Sequence, residues 1–215
     1  MTHRFPLLAA LALFLALNSA ATAQNGRTVN YAILKEGEPI GRETYLLLQE
    51  GEHVTVKLTV ESRVRILLID FRYSHKRSES WNGDRLERLV ADTDDDGSKH
   101  HVEAVADGNG GLTVTSDARP AGIATSAFPL SMWRRSIVGH DNLFAVESGD
   151  GPLHVAFKDL GPEVVTIGGR AVDCQHYMMT GDVDRDLWYD ADGLLAKASF
   201  RRRGFGITIL REPSS

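Results

Sequence analysis

Alternation is the dominant signal in this chain. From His53 to Glu61 apolar and polar residues exchange at every step, with Val54, Val56, Leu58 and Val60 on one face and Thr55, Lys57, Thr59 and Glu61 on the other. A period of two belongs to a strand, and clean alternation marks an antiparallel strand with one wet side. Residues 43–49 lead into it through Glu50-Gly51-Glu52, where the glycine can take positive φ. The run Ile66-Leu67-Leu68-Ile69-Asp70-Phe71-Arg72-Tyr73 begins apolar on both faces and ends half-polar. That is the pattern of a long strand leaving a covered region for an open one.

Turn residues then recur at short intervals: Asn82-Gly83, Asp96-Gly97, Asp107-Gly108-Asn109-Gly110-Gly111, Gly149-Asp150-Gly151, Gly168-Gly169 and Asp192-Gly193. Asn-Gly and Asp-Gly suit two-residue hairpin turns, whose central positions both need positive φ. Between them the pattern predicts strands over 85–93, 99–106, 112–116, 143–147, 153–159, 170–180, 194–202 and 205–211. Strands this close together, with no helical period, predict an all-β fold. The expected form is an antiparallel meander bent into a strongly curved sheet or unclosed barrel. One stretch differs. Pro120 and Pro129 interrupt it, and Leu130, Met132, Trp133 and Ile137 have a weak helical spacing, so a short helix is expected near 130–137. No internal repeat, low-complexity tract or linker divides the rest.

The first residues change where this fold is expected to work. Met1-Thr2-His3-Arg4 is weakly positive, residues 5–17 carry no charge, and Ala21-x-Ala23 has the form of a signal-peptidase site. An apolar run of about 13 residues falls short of the roughly 20 needed to span a bilayer. Residues 1–23 therefore read as a removable signal peptide and 24–215 as a single barrel-like domain without a transmembrane segment, periplasmic or secreted. Without Arg4 the mature chain has 23 Lys and Arg against 29 Asp and Glu, a formal −6. That balance argues against a nucleic-acid partner, which wants a positive face. Cys174 is the only cysteine, so no intramolecular disulfide can form.

Four groups of residues have chemistry to consider. Asp92, Asp94, Asp96 and Glu103, with Gly97 between, satisfy the spacing of a calcium loop, and calcium is the only cofactor the sequence suggests. The flanks alternate as strands, however, so an acidic hairpin turn is the plainer reading. Asp182, Asp184, Asp186, Asp190 and Asp192 form a second acidic set, expected to be a wet loop; Asp184 with Asp190 is its candidate pair for glycan hydrolysis. Cys174-x-His176 puts a thiol and an imidazole on one strand face, as half of a zinc or copper site or a nucleophile with its base would need, but among Val172 and Met178 core packing is the simpler role. Arg201-Arg202-Arg203 reads as a solvated strand edge. Nucleophile elbows, zinc-protease helices and phosphate loops are absent from the sequence, which tilts the reading away from an enzyme.

Phe128-Pro129-Leu130-Ser131-Met132-Trp133, Leu160-Gly161-Pro162-Glu163-Val164, Tyr177-x-x-Thr180-Gly181 and Leu187-Trp188-Tyr189-Asp190-Ala191-Asp192-Gly193-Leu194 together resemble a family of secreted bacterial β-proteins known as a domain of unknown function. The likeness spans about 29–210. It implies a signal peptide and an open barrel similar in shape to periplasmic lipoprotein carriers, and it brings no catalytic residues. The function expected is a non-catalytic binding or carrier protein for an apolar or amphipathic cell-envelope molecule. Trp133, Met178, Trp188 and Tyr189 are the candidate ligand lining. The alternatives are an envelope glycan hydrolase and a calcium-stabilised interaction module.

Overall fold

The computed structural model describes residues 25–66 and 69–213, with the side chains of Asn25, Ile66 and Ile69 outside the description; the expected leader, 1–23, also lies outside the described residues. The strands are β1 (Asn25–Lys35), β2 (Glu38–Glu50), β3 (His53–Ile66), β4 (Ile69–Asn82), β5 (Arg85–Asp95), β6 (Ser98–Ala106), β7 (Leu112–Ser116) and β8 (Arg119–Thr125). After them come β9 (Phe128–Pro129), β10 (Asn142–Phe144), β11 (Leu153–Ile167), β12 (Arg170–Gly181), β13 (Arg185–Tyr189), β14 (Leu195–Arg202) and β15 (Phe205–Arg211). All 15 belong to one unclosed sheet, in the order β8-β7-β6-β5-β4-β3-β2-β1-β15-β14-β13-β12-β11-β10-β9. The all-β meander expected from the sequence is therefore the fold.

One pairing departs from neighbour-to-neighbour succession, β1 with β15, and one departs from antiparallel direction, the short β9 running parallel to β10. Turn chemistry fixes the hairpins. In the β5–β6 turn Asp96 and Gly97 both take positive φ, 57° and 94°, as a two-residue primed turn requires. Pro120 sits in β8, a terminal strand of the sheet, where a missing N–H donor is tolerated.

The sheet curls tightly. β5 and β14 are six strands apart in the order, which on a flat sheet would separate them by roughly 29 Å at about 4.8 Å a step. Yet Arg202 of β14 donates to Asp95 of β5 at 3.1 Å. Alternate residues of β1 to β7 and β13 to β15 thus face one interior, where Tyr31, Tyr45, Val56, Leu89, Val102, Leu187 and Ile209 form part of a single buried cluster.

The helix expected near 130–137 is reduced to a 3-10 turn, Arg135–Gly139. Upstream of it the backbone has found sheet-like partners: Leu130 N–H donates to the Phe144 carbonyl, Arg135 N–H to Gly193, and Leu195 N–H to Trp133. Residues 127–147 instead run through the interior and close one end of the curl.

The anchor of that segment is Glu79 on β4. One carboxylate oxygen accepts from Trp81 Nε1 at 2.8 Å and Trp133 Nε1 at 3.0 Å. The other accepts from Ser131 Oγ and lies 2.6 Å from Arg77 Nε. Removing one partner of a buried ion pair typically costs about 3–5 kcal/mol, because the other charge stays behind. Glu79→Gln should accordingly destabilise the protein by about 3–5 kcal/mol, read from the urea midpoint; a loss under about 1 kcal/mol would mean the segment is held elsewhere.

Candidate functional site

Inside the curl lies a cavity of about 180 Å³, against the roughly 10–15 Å³ that admits a single water. Its walls are the inward alternates of the strands: Ile33, Leu58, Val60, Phe200, Ile207 and Ile209. Leu130, Met132 and Val146 of the interior segment line it too. At the other end Lys35, Phe71, Arg72, Arg203 and Phe205 surround its mouth, where Arg72 and Arg203 are exposed.

Polar groups enter this apolar space in an ordered column. On β4 the inward positions are Phe71, Tyr73, His75, Arg77, Glu79 and Trp81, graded from mouth to closed end, and the first four line the cavity. Tyr73 donates its hydroxyl proton to Glu147 at 3.1 Å. Thr93 donates to the Glu147 carbonyl at 3.1 Å, so the hydroxyl has only lone pairs left for His75 Nδ1 at 2.9 Å. Nδ1 therefore carries the imidazole proton, and Nε2 receives Arg77 at 3.3 Å. Burial, reinforced by the Arg77 charge, lowers the His75 pKa to about 3. Opposite, burial raises the Glu43 carboxyl to about 7, although the nearby Arg77 pulls it down.

Six cationic side chains line the cavity against three carboxyls, Glu43, Asp95 and Glu147. Most of the interior cations have an acidic partner: Arg77 has Glu79, and Arg202 reaches Asp95 and Glu147. Arg185 of β13 differs. Its guanidinium lies over the Phe200 ring at 4.2 Å, makes no ion pair among the described residues, and has a buried Nε without a hydrogen-bond partner.

The residues singled out in the sequence lie elsewhere. None of Trp133, Met178, Trp188 and Tyr189 is among those lining the cavity. Trp133 is held by Glu79, and Tyr189 donates to the Met132 carbonyl at 3.1 Å, both within the packed end. Trp188 belongs to a separate small cluster with Val165, Ile167, Cys174 and Ala196, and Met178 stands in register with Asp186. His176 stacks on Trp188 at 4.1 Å between Glu163 and Asp186, each 2.9 Å away, while the Cys174 thiol donates to the Val172 carbonyl. Arg202 is not on a sheet edge, because β14 lies between β13 and β15, and Arg203 lies in the turn that follows; both line the cavity.

The acidic sets are dispersed as well. Asp92 bonds His101, Asp94 caps its own turn through Gly97 N–H, and Glu103 pairs with Arg88. Among the described residues no three carboxylates, imidazoles or thiols gather as a metal site. Residues 182–192 hold a strand, β13, rather than a continuous wet loop. Asp184 accepts from Gly181 N–H, whereas Asp190 is engaged by Leu194 N–H and Arg211. What sequence reasoning missed was the β4 column. Its signal was Tyr73, His75, Arg77, Glu79 and Trp81 at every second position, large and ionisable where core strands show aliphatics.

The family model of a domain of unknown function, DUF6134, matches residues 31–212. The chain belongs to this family. No curated protein and no solved structure matches it. In this DUF6134 domain the matched residues run from Tyr31 of β1 through β15, so they include every cavity-lining position named above. No helix among the described residues is long and apolar enough to cross a membrane.

Two solution properties follow from this DUF6134 interior. Glu43 holds its proton more tightly folded than unfolded, so its contribution is full below about 4.5 and is lost as pH rises through about 7. His75 is the reverse: its contribution is full above about 6.5 and is lost as pH falls from there towards about 3. Urea midpoints between pH 4 and 8 should show Glu43→Gln removing an alkaline decline and His75→Gln flattening an acid decline, each limited to about 1.4 kcal/mol per pH unit. Calcium against chelator should leave the melting temperature unchanged; a rise of several degrees would show that Asp92, Asp94, Asp96 and Glu103 gather an ion.

Proposed function

We propose that this protein is exported and acts as a non-catalytic binding or carrier protein for an apolar or amphipathic molecule of the cell envelope. The observation that carries this reading is the cavity: apolar on its strand-borne walls, shut at one end by residues 127–147 and bordered by charged groups at the other. Pockets of this kind bury a ligand's apolar part and use a few placed polar groups to orient it. The engagement of the polar groups near its closed end supports binding over catalysis. His75 has both ring nitrogens occupied, and Glu79 accepts from three side chains and pairs with Arg77. Export is supported by the sequence of residues 1–23, an apolar run ending in Ala21-x-Ala23.

Nile red, a neutral dye whose emission rises in apolar surroundings, tests the reading on the purified protein. Emission should rise and saturate at one dye per chain, and Val60→Phe, which fills the wall, should weaken binding at least tenfold while the melting transition is kept. A wild-type protein that leaves the dye dark, or a Val60→Phe variant that binds it equally well, would remove the cavity from the account.

A further inference from the structure

We propose that the ligand is an anionic amphiphile, whose carboxylate or phosphate head is taken by Arg185 while its tail lies along the Ile33, Leu58, Val60 and Ile207 wall. This rests on the binding role proposed above and goes further by naming the chemistry of the polar end.

The argument starts from an imbalance. The whole chain is acidic, with a formal net charge of −5, yet the cavity lining carries six cations and three carboxyls. Two of those carboxyls are already spent: Asp95 binds Arg202 and Arg203, and Glu147 receives the Tyr73 hydroxyl and faces Arg202. The third, Glu43, is neutral below about pH 7 because burial raises its pKa. With Arg77 paired to Glu79 beyond the lining, Lys35, Arg72 and Arg185 are left without an ion pair among the described residues.

Of these three, Arg185 is the one with a guanidinium nitrogen sealed from solvent. A guanidinium is charged under all ordinary conditions and offers five N–H donors in a planar fork. A buried cation is normally paired, since desolvation without a partner is costly. Arg77 obeys this rule through Glu79 and Arg202 through Asp95. Arg185 lies over the Phe200 face, makes no ion pair among the described residues although the charges of Glu147 and Glu43 reach it, and has an Nε that is sealed from solvent and unbonded. The Phe200 ring covers one side of the guanidinium at 4.2 Å, and the planar fork of N–H donors matches a two-oxygen acceptor. A cationic or neutral polar head would leave it unmatched, and a cation would add repulsion from Arg202.

Displacement of Nile red by four ten-carbon competitors provides the test: decanoate, decyl phosphate, decan-1-ol and decyltrimethylammonium. In the wild-type protein the two anions should compete at least tenfold better than the alcohol, and the cation worst; the ratio of decanoate to decyl phosphate tells which head the site prefers. Arg185→Gln should abolish the anion preference while dye and decanol binding persist, and Arg185→Lys, which keeps the charge and loses the fork, should retain part of it. Dye binding with no anion preference in the wild type would overturn the inference and leave the binding role standing. So would an Arg185→Gln or Arg185→Lys variant with the preference intact or, for Arg185→Lys, strengthened. Failure of the dye to bind at all would overturn the binding role, and this inference with it.

Discussion

A single buried carboxylate sets the internal geometry. Glu79 collects two indole N–H groups, a hydroxyl and a guanidinium, from Trp81, Trp133, Ser131 and Arg77. Apolar packing alone would hold residues 127–147 inside the curl, but it is non-directional and tolerates sliding. Three donors and a guanidinium converging on two oxygens do not, because displacement would leave charges and several donors unpaired in a medium where each is expensive. The segment is therefore docked in one register, and the interior acquires a closed end.

The open space beyond it has a related cause. A curled sheet with aliphatic alternates on every strand would shrink until its side chains met, since voids forfeit dispersion energy. Here β4 points Tyr73, His75 and Arg77 inward, and β13 adds Arg185. Such side chains lose more by being pressed into hydrocarbon than the walls gain by meeting. They prop the cavity, and they also give it a polarity that a plain hydrophobic trough would lack.

Much of this was legible in the sequence. Val54 to Val60 gave β3 and its inward face, and Asp96-Gly97 gave the primed turn that outranks the calcium-loop spacing, since Asp92 and Glu103 point to different partners across a hairpin. Residues 130–137 misled because helical spacing says nothing of backbone partners supplied from afar by Phe144 and Gly193. Trp133, Trp188 and Tyr189 fit a ligand lining on sequence alone because large aromatics suit both cores and pockets, and periodicity cannot tell the two apart. β4 failed in the opposite sense. A strand whose buried side is His75, Arg77 and Glu79 does not look hydrophobic, and only the curl, a property of the whole sheet, turns that face inward.

Among the described residues the curl is not completed by backbone hydrogen bonds: β8 and β9 end the order, and contacts such as Arg202 with Asp95 and Thr93 with the Glu147 carbonyl draw the far strands together. In a sealed cylinder the diameter is quantised by strand number and stagger. This sheet instead has a girth held by side-chain clasps, so it can widen by letting go of an ion pair, with every rung of its ladder intact.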